Sequence, residues 1–236
     1  MRINATTGYH MKSFRPALIL ATLLAGHASP ACADCLFGPP GGDDSDVPCG
    51  ITLVGTHSGV PDPRGEFLVI IRDLAQNPVE GCEVSIDFQR CFDTQVSLDQ
   101  PWPGLSVECV AGAPSYAIVR GTTDANGTVV FRIVGGARNT GSGRPAGGLK
   151  SARGFVNGFD ITTPVGGVNV AAYDQNSSGG ANPADIALML SDAFSPGLEG
   201  RSDFNCSNTI NPVDVSMMLQ ASLQGGSQQS GSDYCW

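Results

Sequence analysis

Two stretches near the C-terminus carry oxygen-bearing side chains at a spacing that suits metal binding. DQNSSGGANPADIALMLSDAF begins at Asp174, and DFNCSNTINPVDVSMMLQASL begins 29 residues later at Asp203. Each stretch opens with a twelve-residue loop in which positions one, three, five, nine and twelve hold Asp, Asn or Ser. These residues are Asp174, Asn176, Ser178, Asn182 and Asp185 in loop 1, and Asp203, Asn205, Ser207, Asn211 and Asp214 in loop 2.

This spacing favours Ca²⁺. The ion takes roughly six to eight oxygen ligands, and a tight loop supplies them from alternate side chains and from the carbonyl at position seven. Gly180 and Thr209 occupy position seven. Position six needs a residue that tolerates a positive φ, and Gly179 and Asn208 are of the two kinds that do so best. The sequence therefore predicts two bound Ca²⁺ ions; the alternative is two helix-capping turns that bind no ion.

Each loop leads into a predicted helix. Asn182 and Asn211 are favourable N-caps, and each is followed by a proline and then an aspartate in the first turn. Apolar residues then recur at helical spacing on one side. We expect two short amphipathic helices that bury these sides against each other. The apolar residues are Ile186, Met189, Leu190, Ala193 and Phe194 in the first copy and Val215, Met218, Leu219 and Leu223 in the second.

At these residues the tandem resembles a type I dockerin, the duplicated module of calcium loops and helices that docks onto cohesin domains in cellulosome-like assemblies. The resemblance covers residues 174–223 and implies two Ca²⁺ ions and a protein partner, either cohesin-like or on a cell surface. In that family the partner is contacted just before the last loop aspartate. Those positions hold Pro183, Ala184, Pro212 and Val213 here.

The tandem departs from the dockerin pattern in two ways. Position five is usually a carboxylate in the family, whereas Ser178 and Ser207 stand there in this chain. Each loop therefore brings two carboxylates rather than three, and weaker Ca²⁺ binding follows. The family also uses basic residues on the following helix for recognition, and neither predicted helix carries Lys or Arg.

The N-terminal segment, residues 1–33, has the pattern of a secretion signal. Lys12 and Arg15 precede an apolar run from Ala17 to Gly26, and Ala31-Cys32-Ala33 is a typical cleavage site. Met11 is an alternative start, and cleavage after Ala28 is an alternative to cleavage after Ala33. The apolar run is too short to cross a bilayer, and no later stretch is long enough. We therefore expect a secreted protein with no membrane span.

Charge and cysteine content agree with export. Loss of residues 1–33 changes the formal net charge from −9 to −12, which disfavours binding to nucleic acid. The chain has eight cysteines, seven of which follow Ala33, and in an oxidising compartment they are expected to form disulfides. We predict pairs of Cys35 with Cys49, Cys91 with Cys109, and Cys206 with Cys235, which leaves Cys82 odd. The last pair would fold back residues 224–236, which otherwise have the composition of a linker.

Residues 34–49 form a turn-rich leader, and residues 50–172 have the pattern of an antiparallel β-sandwich. Apolar and polar residues alternate in short runs, with turn sequences between them and no helical pattern. RDLAQNPVEGCEVSIDF and GTTDANGTVVFRIVGG resemble the bacterial immunoglobulin-like domains of invasin and intimin, which implies a non-catalytic spacer or adhesive domain. The clearest predicted strands are 51–54, 67–71, 82–88, 115–119, 128–134 and 168–173.

The sequence offers little for catalysis. His57 is the only histidine and Lys150 the only lysine after residue 33, and no glycine-rich phosphate loop leads from a strand into a helix. We therefore expect a mainly β, monomeric, non-catalytic protein in which residues 173–223 form a small helical module with two Ca²⁺ ions. Either this module docks onto a partner, or it folds back onto its own β-domain and the Ca²⁺ ions act as structural staples.

Overall fold

The computed structural model describes residues 46, 48–91, 93–138, 152–162, 167–194 and 201–235. Over these residues the chain is mainly β, with largely antiparallel pairing and two helices, which confirms the predicted β-rich class. The predicted signal segment 1–33, the leader up to residue 45 and Cys35 lie outside the described residues. The helices are α1 (Pro183–Asp192) and α2 (Pro212–Leu223), and the strands are β1 (Gly50–Leu53), β2 (Thr56–His57), β3 (Val60–Pro61), β4 (Glu66–Ile70), β5 (Glu83–Asp87), β6 (Thr94–Ser97), β7 (Ser106–Val110), β8 (Tyr116–Thr122), β9 (Thr128–Arg132), β10 (Gly135–Ala137), β11 (Arg153–Val156), β12 (Phe159–Asp160), β13 (Asn169–Ala172) and β14 (Tyr234–Cys235).

The strands form where apolar and polar residues alternate. Successive residues of β4, β5, β8 and β9 alternate between buried and more exposed positions, because side chains along a strand point to opposite faces. All six predicted strands are present. No comparable pattern marks β6, β7, β10 or β11 in the sequence, and β10 consists only of Gly135, Gly136 and Ala137.

The strands pair into one five-stranded sheet, one three-stranded sheet and three two-stranded pairs. The five-stranded sheet has the order β12-β11-β5-β8-β7, and the three-stranded sheet has the order β10-β6-β14. The pairs are β2 with β3, β4 with β9, and β1 with β13, the last of which is parallel. Residues remote in sequence therefore meet: β1 pairs with the strand that enters loop 1, and the C-terminal strand β14 adds to β6.

The strands share one hydrophobic core. Its buried residues come from β1, β4, β5, β6, β8, β9, β11 and β13, and they include Ile51, Val69, Val84 and Val119. Phe67 of β4 stacks on Phe131 of β9, with ring centroids 5.1 Å apart. Burial of side chains of this size supplies the main free energy that holds the strands together.

Both predicted helices are present and begin as expected, but their buried sides differ from the prediction. Met189 and Met218 are fully buried, whereas Leu190 and Leu223 are 45 % and 64 % exposed and Phe194 is 86 % exposed. The inward side of each helix also carries the position-twelve aspartate, which lies four residues before the buried methionine. The predicted buried side of each helix is therefore wrong by about a quarter turn around the helix axis. The two helices do not simply bury their apolar sides against each other.

A second hydrophobic cluster joins the helices to the strands. It contains Val54, Ala171 and Tyr173 from the β-domain together with Met189 and Met218 from the helices. The ring of Tyr173 also packs against that of Phe204 in loop 2, with centroids 4.6 Å apart. The helical module therefore has no separate core of its own within the described residues.

The disulfide pairing differs from the sequence prediction. Cys49, just before β1, is bonded to Cys206 in loop 2, and Cys109 of β7 is bonded to Cys235 of β14. The predicted pairs Cys35 with Cys49, Cys91 with Cys109 and Cys206 with Cys235 are therefore wrong, and Cys82 is disulfide-bonded rather than odd. The reason is topological, because β1 and β14 bring both ends of the described chain back to cysteines distant in sequence.

Among the residues that the structure describes, neither helix has the length and apolar character needed to cross a bilayer.

Candidate metal centres

The position-one aspartates are held by backbone amides in the same way in both loops. Asp174 Oδ1 accepts a hydrogen bond from the amide of Ser178 at 3.0 Å, and its Oδ2 accepts one from the amide of Gly179 at 3.0 Å. Asp203 accepts the corresponding bonds from the amides at positions five and six at 2.9 and 2.7 Å. Position six has a positive φ in both loops, 95° at Gly179 and 62° at Asn208, as the sequence predicted. This turn lets both amides point at one carboxylate.

The position-twelve aspartates close each loop from the other side. Asp185 Oδ1 accepts from the amides at positions two and three at 2.8 and 3.0 Å, and its Oδ2 accepts from the amide at position nine at 2.8 Å. Asp214 repeats this pattern at 2.8, 3.1 and 2.9 Å. Each of these carboxylates therefore ties the start of its loop to the first turn of the following helix.

Positions three, five and seven point their oxygens toward the same region of each loop. Asn176 Oδ1 accepts from the amide at position five at 2.8 Å, and Ser178 Oγ lies 3.3 Å from the carbonyl oxygen of Gly180. In loop 2 the corresponding distances are 3.0 Å at Asn205 and 2.8 Å between Ser207 Oγ and the Thr209 carbonyl. The structure thus brings the predicted ligands of each loop together.

Position nine serves the helix as well as the loop. Asn182 Oδ1 accepts from the amide of Ala184 at 2.8 Å, and Asn211 Oδ1 accepts from that of Val213 at 2.8 Å, so both act as N-caps. Their Nδ2 atoms donate to Ser178 Oγ and Ser207 Oγ inside the loops. With its oxygen used in capping, position nine would reach a cation through water, which is its common role in calcium loops.

The four loop aspartates are buried, and none of them has a cationic partner among the residues that the structure describes. Asp185 and Asp214 are fully buried, and Asp174 and Asp203 are 2 % and 4 % exposed. No ion pair within the described residues joins Lys, Arg or His to any of the four; the buried Arg201 is paired with Asp192. Burial of a charge is costly unless an opposite charge or a metal compensates it. Each loop is therefore a pair of buried negative charges that lacks its counter-charge.

The pKa of Asp185 in loop 1 reflects the cost of burying its charge. Burial, and after it the neighbouring charge of Asp174, raises the pKa of Asp185 to about 6, although three backbone amides favour its ionised form. A divalent cation would remove this penalty. The donor set of two carboxylates with amide, hydroxyl and carbonyl oxygens fits Ca²⁺, which prefers such oxygen ligands. Within the described residues, no three or more His, Cys, Asp and Glu side chains gather where they could hold a metal ion.

A buried polar network lies behind the two loops. Arg201 donates two hydrogen bonds to Asp192 at the end of α1, at 2.6 and 2.5 Å. Ser202 donates to the same carboxylate at 3.0 Å and accepts from Gln175 Nε2 at 2.7 Å. Gln175 is position two of loop 1, and Ser202 directly precedes loop 2. The network therefore fixes the two loops relative to each other, and its partners in three separate segments could not be paired from sequence.

The contact between loop 1 and the C-terminal tail was not predicted from the sequence. Residues 225–235, which we call the strap, pass directly over loop 1. Ser230, which is fully buried, donates from Oγ to Asp174 Oδ2 at 2.8 Å, and its amide donates to the Gly179 carbonyl at 3.1 Å. The linker composition of the tail concealed this contact. The aromatic residue and cysteine at its end were the only signal that it is anchored.

The residues predicted to contact a partner lie on the surface. Pro183, Ala184, Pro212 and Val213 are exposed, and Val213 is 54 % exposed. They form the first turn of α1 and α2 beside the position-twelve aspartates. Their placement leaves them accessible to another molecule.

Three other places in the described residues carry ionisable side chains. The imidazole Nδ1 of His57 lies 2.9 Å from Gln228 Oε1 of the strap. Glu83 and Glu108 both bind Arg120 on the exposed face of the five-stranded sheet. A cavity of about 390 Å³ beside loop 1 has Asp99 as its single ionisable lining residue.

Comparison with protein-family models, with curated proteins and with solved structures finds no match to this chain.

Proposed function

We propose that the chain is a secreted, non-catalytic structural or adhesive protein in which two Ca²⁺ ions fasten a dockerin-like helical pair onto its own immunoglobulin-like β-domain. The observation that carries this proposal is the burial of two aspartates in each loop without a cationic side chain among the described residues. The matched hydrogen bonds of the two loops support two equivalent sites. The antiparallel sheets and their single core support the sandwich architecture.

Three kinds of contact support a fastening role rather than an independent module. The helices and the β-domain share one hydrophobic cluster that includes Tyr173 and Phe204. Cys206 of loop 2 is covalently bonded to Cys49 next to β1. Arg64 of the β-domain also donates from Nη1 to Gln220 of α2 at 3.1 Å. A module that moved freely to meet a partner would lose all three contacts.

Ca²⁺ would then act on folding. Isolated helices of this length are marginal in water, and a metal that orders their first turns supplies the missing free energy. The disulfides support secretion, because such bonds persist in oxidising compartments. Because bound Ca²⁺ would neutralise the buried aspartates, the stability of the whole chain would depend on Ca²⁺.

Isothermal titration calorimetry on the mature chain tests this proposal. We expect two Ca²⁺ per chain, and one in each of the variants Asp174→Ala and Asp203→Ala. The midpoint temperature of thermal unfolding should rise with Ca²⁺. The protein should unfold in a single transition, because the helices and strands share a hydrophobic cluster. An absence of heat at millimolar Ca²⁺ would refute the metal sites. Two separate transitions, of which only one responds to Ca²⁺, would refute the fastening role.

A second function, docking of a protein partner, is favoured by one observation. The two helices expose apolar residues at equivalent positions: Leu190 and Leu219 are 45 % and 37 % exposed, and Phe194 and Leu223 are 86 % and 64 % exposed. A repeated apolar surface of this kind is typical of an interaction site. The exposed residues that the dockerin resemblance assigns to cohesin contact are in the first turns of the same two helices.

A pull-down from the secretome of the producing organism, with Ca²⁺ and with EDTA, tests the docking function. We expect a partner that is retained only with Ca²⁺ and lost in the double variant Leu190→Gln, Leu219→Gln. The matched control is Leu68→Gln, which changes a leucine that is 47 % exposed on β4, away from the helices. Equal retention by all three proteins would contradict docking through this surface.

A further inference from the structure

The two loops share their internal hydrogen bonds but differ in what surrounds the position-one aspartate. Asp203 Oδ1 and Oδ2 each accept one backbone amide. Asp174 accepts the same two amides and, in addition, the hydroxyl of Ser230 on Oδ2. Loop 2 is tied instead through the disulfide of Cys206, which occupies its position four.

The extra donor restricts how Asp174 can bind a cation. A carboxylate oxygen offers two lone-pair directions. Oδ2 of Asp174 already accepts from the Gly179 amide at 3.0 Å and from Ser230 Oγ at 2.8 Å, whereas Oδ1 accepts from one amide only. Oδ1 is therefore the oxygen left to face a cation, and Ser230 sets the orientation of the carboxylate.

Ser230 is itself held in place by the strap. The Ser230 hydroxyl donates its single proton to the Asp174 carboxylate, which can only accept. The Tyr234 hydroxyl therefore donates either to Ser230 Oγ at 2.8 Å or to the Gly231 carbonyl at 2.9 Å. Two further backbone bonds join the strap to loop 1: the Ser230 amide donates to Gly179, and the Ala181 amide donates to Ser227 at 2.8 Å. The strap thus contacts loop 1 at positions one, six and eight.

The strap is anchored to the β-domain on both sides of Ser230. Gln229 exchanges two backbone hydrogen bonds with Thr56 at 2.7 and 3.1 Å. Tyr234 and Cys235 pair with β6, and Cys235 is bonded to Cys109. The approach is close, because a Cβ added to Gly180 would lie 2.0 Å from the Gln228 carbonyl oxygen. The hydroxyl of Ser230 is therefore positioned by the sheet rather than by loop 1.

We propose that the strap forms the outer wall of loop 1 alone and that Ser230 is a positioning residue for the ligand Asp174, so that the two loops bind Ca²⁺ with different affinities. This inference rests on the proposed Ca²⁺ sites. Groups that orient a metal ligand from outside typically change affinity by about ten- to a hundredfold when they are removed. Ca²⁺ in loop 1 also stabilises the strap in return, because the coupling between two sites is reciprocal.

Calorimetric titration with CaCl₂ of full-length mature variants tests the inference. In an Asp203→Ala background, where loop 1 is the remaining site, Ser230→Ala should raise the Kd for Ca²⁺ by about tenfold. In an Asp174→Ala background, where loop 2 remains, Ser230→Ala should leave the Kd unchanged. Equal Kd values with and without Ser230 in the Asp203→Ala background would overturn the inference.

Ser227→Ala is the matched control. Ser227 is also buried in the strap, but its hydroxyl donates to Asp62 Oδ2 at 2.8 Å rather than to a calcium ligand. The variant Ser227→Ala should leave the Kd of loop 1 for Ca²⁺ unchanged. A loss of Ca²⁺ affinity equal to that of Ser230→Ala would show general loosening of the strap and overturn a positioning role. If Ser230→Ala does not fold, the variant Tyr234→Phe, which removes the bond to Ser230, takes its place. It should weaken Ca²⁺ binding by loop 1 alone, and unchanged Ca²⁺ binding by both loops would overturn the inference.

Hydrogen exchange separates this inference from the calcium sites themselves. The Ser230 amide should exchange more slowly when Ca²⁺ is added to the Asp203→Ala variant, but not when it is added to the Asp174→Ala variant. If the Asp203→Ala variant with Ser230 intact takes up no Ca²⁺, the proposed site in loop 1 fails. If it takes up Ca²⁺ without any change in Ser230 exchange, the site stands and only the coupling to the strap is refuted.

Discussion

Replacement of Asp93 by Asn should stabilise the protein at neutral pH. Asp93 directly precedes β6, and its surroundings include the apolar residues Val170, Ala171 and Ala172 of β13. Burial raises its pKa to about 6, although the charge of Arg201 acts in the opposite direction. The folded protein therefore favours the protonated carboxyl, and ionisation at neutral pH opposes folding.

The sign and the pH window follow from this pKa. The ordinary pKa is 3.8, so the free energy of unfolding falls as the pH rises from about 4 to about 6 and is then constant. A difference of about two between the two pKa values corresponds to about 2–3 kcal/mol. Asn has nearly the same shape and no charge. Asp93→Asn should therefore gain about 2–3 kcal/mol at pH 7 and almost nothing near pH 4.

Urea unfolding of wild type and Asp93→Asn across this pH range, at one saturating Ca²⁺ concentration, measures the difference. Comparison at each pH cancels the contribution of the proposed metal sites. Asp99→Asn is the control, because it makes the same change at an exposed aspartate a few residues along the chain. A variant that is less stable than wild type at neutral pH, or a difference that does not change with pH, would refute the assignment of a partly buried, destabilising carboxylate.

Three further predictions concern the helices, the strap and the covalent frame. Addition of EDTA should lower the helical far-UV circular dichroism signal, because the buried aspartates of the loops lose their counter-charge; an unchanged signal would contradict occupied sites. Gly180→Ala should destabilise the protein by more than about 2 kcal/mol, because φ is 156° and the new Cβ would lie 2.0 Å from the Gln228 carbonyl oxygen. Gly179→Ala, at φ 95° with no neighbour within 4 Å, should cost only about 1 kcal/mol in thermal unfolding, and equal losses would contradict close contact with the strap. Non-reducing peptide mapping should yield Cys49 linked to Cys206 and Cys109 linked to Cys235, and any other partner for Cys235 would refute the path of the strap.

Local chemistry made several features predictable from the sequence. Asn182 and Asn211 cap helices because a short polar side chain followed by proline favours that turn in almost any context. The strands β4, β5, β8 and β9 follow from alternation, which needs only one buried face. The positive φ at position six likewise depends on residue type alone.

Features that depend on distant partners were not predictable. The prediction of cysteine pairs failed because the strands β1 and β14 bring together cysteines that are more than a hundred residues apart in the sequence. The buried sides of the helices were misplaced because the loop aspartates, which are polar, point inward. β6 and β10 were missed because they are short and are held by their neighbours in the sheet rather than by their own pattern.

The sequence by itself determined the β-rich class, the two helices and the spacing of oxygen-bearing side chains in two equivalent loops, because each of these depends on residues close together in the chain. Only the tertiary structure decided that the helices share a core with the β-domain and that the strap reaches Asp174 through Ser230. The two loops are alike in sequence, yet their surroundings differ. That difference arises from which segments the sheet brings beside each loop, and the pattern within the loops cannot encode it.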